Sequence, residues 1–465
     1  MNYLIYPLAF IFILGSAVVL HEFGHFIVAK LFKIRVETFS VGFGPRLFGK
    51  KWGDTDYRFS AIPLGGYVKL GGDESNAPIE GDGASDIPVA ERFDLRPRWQ
   101  RVLVALAGPV MNVLTALAIP LAGALMYGVP ASPPPVVSYV AASGAAQAAG
   151  VQPGDRIVSF NGTENPKWDT IHNDALLSPG QALPLVVERG GERVPLTITP
   201  TVHTEEGETV GFLDLVPDNG GYPVVVRSVV EDGPAAQAGI QPGDHVVALN
   251  GQPLRSAEHF AIFVREHRSE PIKLTVERNG QKQEMTATAR RLSDGLERLG
   301  ITQGDDYPLV KTALGSAASY AVRSNLEILR LTGKALGQFF TGKRSARNTL
   351  SGPVGIYKAA GSAVEHSGWA GFFTMLAFLS LNLGVFNLLP IPVLDGGAIF
   401  LLLIEAVLAT VGMKVSMGVR DRIQQVGFVM VLLLMVFVIT NDLLKQASIW
   451  RGGSDKPAVT ATPGK

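Results

Sequence analysis

Two histidines four residues apart, His21 and His25, with Glu22 beside the first, form the pentapeptide His-Glu-Phe-Gly-His. On a helix that spacing puts both imidazoles on one face, where they can share one Zn²⁺ while the glutamate activates its water. The chemistry such a group performs is hydrolysis. Catalytic zinc sites hold three protein ligands and keep one position for water or substrate. The chain has no cysteine, so the third ligand must be a histidine or a carboxylate. Asp395 stands out, because it lies in Pro390-Ile-Pro392-Val-Leu-Asp395-Gly-Gly397, a helix break within an apolar stretch. An alternative role for Asp395 is a protonated structural cap on the helix that starts near Gly397. Glu405 is a rival carboxylate, but its surroundings read as a regular helix.

The elements that must position these residues are membrane helices. From Tyr3 to Leu20 no side chain is charged, and apolar character resumes at Phe26. About 20 apolar residues span a bilayer, and ionisable groups at that depth are functional by default. A solvated helix face, the ordinary source of a chance His-Glu-x-x-His, is not available in such flanks. Non-helical backbone at membrane depth is tolerated only against protein or a water-filled cavity, which gives the break at Pro390 to Gly397 its meaning.

The whole chain of 465 residues divides around four apolar stretches: 1–32, carrying the pentapeptide; 98–129; 366–411, broken near Asp395; and 423–448. Pro120 predicts a kink in the second. The N-terminus has no basic residue before its apolar run and no small-residue cleavage pattern, so the first stretch is expected to remain a helix. Lys30, Lys33 and Arg35 follow the first stretch, Arg96, Arg98 and Arg101 precede the second, and Lys414, Arg420 and Arg422 precede the fourth. Residues 102–155 contain no Lys or Arg. The positive-inside rule therefore makes 33–97 a cytoplasmic, membrane-associated loop and puts the long middle region on the other side; Lys445 and Arg451 oppose this and are outvoted. Formal net charge is zero, which gives no footing for a nucleic-acid partner.

The middle carries a repeat. Ala148 to Gly162 matches Gln237 to Gly251 at a constant offset of 89, and the same offset aligns Val186-Val-Glu-Arg189 with Thr275-Val-Glu-Arg278. Each unit has Pro-Gly-Asp before an alternating apolar run and then Asn-Gly, a strong hairpin turn. Both units, 130–216 and 217–294, resemble PDZ domains of the bacterial protease type. Such domains bind extended peptides by strand addition; a spacer or steric gate without ligand affinity is the other reading. Residues 295–365 include a periodic stretch (Leu314, Ala317, Tyr320, Leu326, Leu329, Leu336, Phe339) expected as an amphipathic helix at the outer membrane surface, or as packing beneath the second repeat. The tail, 449–465, reads as disordered. His172, His203, His245, His259, His267 and His366 are expected at the surface.

Together, His-Glu-Phe-Gly-His, Asn382-Leu-Gly-Val-Phe-Asn387-Leu-Leu-Pro390 and Pro392-Val-Leu-Asp395-Gly resemble the site-2 protease family of intramembrane zinc metalloproteases. Gly42-Phe-Gly44, Ile62-Pro-Leu-Gly-Gly-Tyr-Val68, Gly352-Pro-Val-Gly-Ile356 and the paired repeats narrow the resemblance to a bacterial branch of it. The resemblance implies a polytopic α-helical membrane protein with four transmembrane segments, one broken, and two inserted β-rich PDZ domains. It implies zinc held by His21, His25 and Asp395, with Glu22 as general base and acid. It further implies a multi-pass protein of the bacterial inner membrane, its repeats periplasmic, that cuts transmembrane segments of an anti-sigma factor in the envelope stress response and of remnant signal peptides. Asn382 and Asn387 then become candidate contacts to an unwound substrate backbone, or else glue between helices. Gly65, Gly66 and Tyr67 become a strand edge that pairs with substrate. Ala107-Gly-Pro-Val-Met-Asn112 is expected to serve helix packing. Two other classes stay open on the residues alone: a metal transporter with an intramembrane transit site, and a membrane PDZ scaffold.

Overall fold

A computed structural model describes residues 4–72, 87–131, 133–205, 208–218, 220–230, 232–267, 270–291, 297–341, 352–413 and 417–450. Residues 451–465, most of the expected disordered tail, lie outside that set. Contacts divide the chain into two compact units. One comprises Met1–Val129, Lys311–Arg330 and Ser351–Asp442; the other comprises Pro130–Val310, Leu331–Leu350 and Leu443–Lys465.

The first unit begins with α1 (Ile5–Leu31), which carries the pentapeptide in its second half and ends where Lys33 turns to φ 55°. A long antiparallel hairpin follows, β1 (Val36–Trp52) and β2 (Thr55–Leu70). Its register shifts repeatedly between Val36 and Phe48, and each shift bends and twists the ribbon. Helix α2 (Arg98–Met126) contains Pro109 and Pro120, and neither ends it. It approaches α1 closely: a methyl on Gly24 would stand 2.2 Å from the carbonyl oxygen of Ala107. Small residues allow that approach, and a larger side chain would force the helices apart.

The second unit contains both repeats. The first repeat comprises β3 (Val137–Val140), β4 (Arg156–Phe160), α3 (Trp168–Leu176), β5 (Leu183–Arg189), β6 (Glu192–Ile198) and β7 (Leu215–Pro217), with β4, β5 and β6 adjacent in one sheet and β7 paired to β3. The second comprises β8 (Val224–Val229), β9 (His245–Leu249), α4 (Ala257–Glu266), β10 (Pro271–Arg278), β11 (Gln281–Thr288) and β12 (Ile301–Asp305), in the sheet order β11-β10-β9-β8-β12. Ile301–Asp305 thus joins the second repeat's sheet. The sequence repeat is a structural repeat. Ile157, Phe160, Leu185 and Val187 are buried in one core, and Val246, Leu249, Leu274 and Val276, each 89 positions on, are buried in the other. Asn161 and Asn250 both adopt positive φ (48° and 46°) before Gly162 and Gly251, as a two-residue hairpin turn of mirror-image type requires. Arg189 grips buried Asp155 through Nε (2.8 Å) and Nη2 (2.7 Å), and Arg278 grips Asp244 in the same way (2.6 and 2.7 Å).

The repeats meet through the outer face of α4. Its Arg265 pairs with Asp214, Glu258 accepts from the Trp168 indole (3.3 Å) and pairs with His172 (2.9 Å), and Ile262 packs on Ala141 and Val216. A cavity of about 70 Å³ remains where α4 closes the cleft between α3 and residues 211–215. His259, expected at the surface, is buried here, its ring 4.7 Å from that of Tyr139. It sits between two packed repeats, an environment that its own segment does not advertise.

Helix α5 (Leu314–Phe340) has residues in each unit. In the first, Asn325 donates to the Ala116 carbonyl (3.0 Å); in the second, Lys334 pairs with buried Asp174 of the first repeat (2.9 Å). Residues 366–411, expected as one apolar stretch broken near Asp395, lie on two helices. Helix α6 (Pro353–Asn387) starts earlier than the hydropathy suggests and kinks at Gly368 (φ 54°, ψ −131°), and α7 (Asp395–Thr410) follows the break. The last helix, α8 (Met417–Trp450), shows most of its apolar side chains outward, as a lipid-facing helix does. Among the described residues four helices are long and apolar enough to cross a membrane: Ile5–Leu31, Arg98–Met126, Pro353–Asn387 and, within α8, Gly418–Leu444.

Candidate metal centre

His21 and His25 face one another on α1 with their Nε2 atoms 3.2 Å apart. Asp395, the first residue of α7, brings Oδ2 within 3.0 Å of the His21 Nε2 and Oδ1 within 3.5 Å of the His25 Nε2. Among the described residues these three form the group of His, Cys, Asp or Glu whose ligand atoms converge as a metal site requires. The spacing fits zinc: tetrahedral bonds of 2.0–2.1 Å place ligand atoms roughly 3.3 Å from each other. Glu405, the rival carboxylate, is instead paired with Arg420.

The break delivers Asp395. Ile391 N–H bonds back to Leu389 (2.7 Å) and Leu394 N–H to Ile391 (3.1 Å), while Val393 takes φ 86°. Gly396 and Gly397 fold tightly under the turn, where a methyl on Gly397 would lie 2.1 Å from the Ile391 carbonyl oxygen. The chain therefore reverses within a few residues and points the new helix's first carboxylate at α1.

Helix α2 orients both histidines. The His25 Nδ1–H donates to the Val104 carbonyl (2.7 Å), which leaves its Nε2 lone pair facing Asp395. The Asn112 carboxamide, fully buried, lies 3.3 Å from the His21 Nδ1, and its oxygen lacks a partner. Turning the carboxamide over sets that oxygen on the His21 Nδ1–H, the tautomer that frees Nε2 for a metal. Gly108 lies between: a methyl there would be 2.3 Å from the His25 Nε2. The segment Ala107 to Asn112, expected to serve packing, thus also lines the centre. No sequence signal ties Asn112 to a residue 91 positions away; only the pairing of the two helices does.

Glu22 accepts a hydrogen bond from the Val68 backbone N–H (3.1 Å), so β2 runs past the pentapeptide. Gly65 and Gly66 lie along α1 beside Val18 and Val19, and Gly66 presses on the Ser40 carbonyl of β1. The Tyr67 side chain is buried, bonded to Arg58 and stacked on Phe43, so what this segment offers the centre is backbone. Asn387 reaches the centre, its amide 3.2 Å from the His21 Nε2. Asn382 bonds to the Phe378 carbonyl of its own helix (2.8 Å).

The model of peptidase family M50 matches residues 9–434. The regulator of sigma-E protease RseP of Escherichia coli K12 is 32% identical over 465 residues, covering 93% of this chain and 97% of that one. The regulator of sigma E protease of Salmonella typhi matches to the same extent, 32% with 93% and 97% covered. A Vibrio cholerae protein carrying a zinc metalloprotease name is 32% identical over 463 residues, covering 94% and 98%.

Proposed function

The chain belongs to peptidase family M50, the site-2 proteases, and is a zinc metalloprotease; from that premise we propose that it hydrolyses peptide bonds within the transmembrane segments of single-span proteins. The observation that carries the proposal is the convergence of Asp395 with His21 and His25, at spacings of 3.0–3.5 Å, on a helix, Ile5–Leu31, long and apolar enough to cross a membrane. These three residues would hold the zinc. A zinc ion bound there would supply Lewis-acid polarisation of the scissile carbonyl and a water acidic enough to be deprotonated near neutral pH. Glu22 takes the water's proton and returns it to the leaving nitrogen. The Val68 N–H holds one Glu22 oxygen, leaving the other for that transfer.

Substrate enters as an extended strand. A peptide bond inside a helix is shielded by its own turns, and an unwound segment needs new partners for its N–H and C=O groups. The backbone at Gly65, Gly66 and Tyr67 supplies them by strand addition, and Asn387 adds a carboxamide at the metal. Asn382, bonded within its own helix, is the weaker candidate. The two repeats are PDZ domains that act by bulk, admitting substrates whose outer domains have been trimmed; this is supported by α4 closing the first repeat's cleft. RseP is named for sigma-E regulation, which points to an anti-sigma factor, with remnant signal peptides as further substrates, for an enzyme of the bacterial inner membrane with periplasmic repeats.

The decisive comparison is Glu22→Gln against His21→Ala. Glu22→Gln should retain zinc while cleavage falls about 10²- to 10⁴-fold, and His21→Ala should lose both. Near-normal turnover by Glu22→Gln overturns the assignment.

A further inference from the structure

Helix α8 touches the rest of its unit at few points. Among its described side chains, only Gly427, Asn441 and Asp442 are buried. Asp442 accepts from the N–H groups of Gly352, Val354 and Gly355 and so fixes the start of α6. Gly427 rests on the break before Asp395: a methyl there would lie 2.3 Å from Pro392 Cβ and 2.7 Å from its carbonyl oxygen. Between these residues and the end of α7, Arg420 of α8 pairs with the buried Glu405.

The residue after Pro392 is in a conformation that it would not choose. Val393 has φ 86°, where a β-branched side chain crowds its own backbone. Such a conformation persists only where the surroundings hold it. The Val393 side chain is 54% exposed, so its own packing is not the restraint. The restraint lies on either side: Gly396 and Gly397 folded under Leu388 to Pro392 on one, and α8 pressed against Pro392 on the other.

We propose that Gly427 is a positioning residue: α8, seated on Pro392 through Gly427 and tied to α7 through Arg420 and Glu405, holds the Val393 turn in place and so sets Asp395 against His21 and His25. This rests on Asp395 being a zinc ligand. A side chain at position 427 lifts α8 off the break, Val393 relaxes, and the carboxylate retreats from the two imidazoles. Glycine at position 393 adopts positive φ freely, so it should keep the turn even when the seat is disturbed.

The test uses the full-length protein in detergent, with zinc release to a chelator and the visible absorption of the Co²⁺-substituted protein as readouts beside kcat and KM. Gly427→Val should release zinc at least tenfold faster, shift the Co²⁺ bands and lower kcat more than it raises KM, with Gly427→Ala intermediate. Val393→Gly alone should match the parent, and combined with Gly427→Ala it should restore parent release and spectrum. If Gly427→Val does not fold, the Ala series decides. Parent-like release and bands in every Gly427 variant, or a defect that Val393→Gly leaves untouched, overturns the clamp alone. Parent zinc retention in Asp395→Ala overturns the ligand assignment and the clamp together.

Discussion

Asn112 on α2 stands 3.3 Å from the Nδ1 of His21 on α1, in full burial, while the Val104 carbonyl takes the corresponding nitrogen of His25 at 2.7 Å. One helix thereby fixes the ring orientation of both imidazoles that the other helix presents. Partners of this kind set the tautomer and are worth about 10- to 100-fold in metal affinity. Asn112→Leu, close in volume but unable to accept a hydrogen bond, should weaken zinc binding by that factor. Helical content should stay unchanged. Competition with a chromophoric chelator measures the first and circular dichroism the second.

The basic flanks give an orientation that the cysteine-free chain makes easy to check. Val89, 71% exposed, and the exposed Gln152 fall in the two segments to which the charge pattern assigns opposite sides. Single cysteines at these positions should differ in intact cells: Gln152→Cys reacts with an impermeant maleimide, and Val89→Cys reacts only after permeabilisation. Equal reactivity before permeabilisation would reverse the topology.

The contact between Arg265 and Asp214 should be costly to cut from one side. Asp214 is buried in the first repeat, and its positive charge partner comes from the second. Arg265→Met leaves the carboxylate, among the described residues, with the Ala145 N–H (3.2 Å) and the Thr201 hydroxyl (2.8 Å). Removing one partner of a buried pair costs about 3 kcal/mol, and Asp214→Asn in the same chain should return most of it. Hydrogen exchange in α3 and α4 of the full-length protein reads both changes.

His172 makes the same junction sensitive to pH. Burial alone would lower its pKa, but the Glu258 carboxylate at 2.9 Å, with Asp169 nearby, holds it above the ordinary histidine value. A raised folded-state pKa means stabilisation that is complete below the unfolded value of about 6.5 and is lost as pH rises through the folded one. Exchange protection of α3 and α4 should therefore decline as pH increases from 6 into the alkaline range. His172→Gln should flatten that decline.

The cluster of His21, His25 and Asp395 was legible because each member announces itself locally: two histidines at helical spacing in an uncharged run, and a carboxylate in a proline and glycine break. The two repeats were legible because their Asp, Arg and Asn-Gly positions recur at one offset, and Asp155–Arg189 and Asp244–Arg278 turn out to be the same fork. Asn112 and Gly427 were not. An asparagine in an apolar helix, or a glycine in another, says nothing about which neighbour it meets, and both owe their roles to helices far away in sequence. The burial of His259 was missed for the same reason, since the surface that covers it belongs to the other repeat. Asn387 and Asn382 share one helix; its phase brings the first to His21 and leaves the second bonded to its own helix at Phe378.

Helix α4 fills the core of its own repeat with Phe260 and Phe263 and offers Arg265 and Glu258 to the other. A single helix that fills one repeat's core and docks on the other through Ile262, Glu258 and Arg265 makes them one folding unit. Loss of either repeat strips α4 of its partners on that side, so neither should populate a state in which its sister has melted. Denaturation of the pair should be a single transition, with an m-value set by the surface of both repeats together. A force applied to one end of the tandem would meet the resistance of the whole.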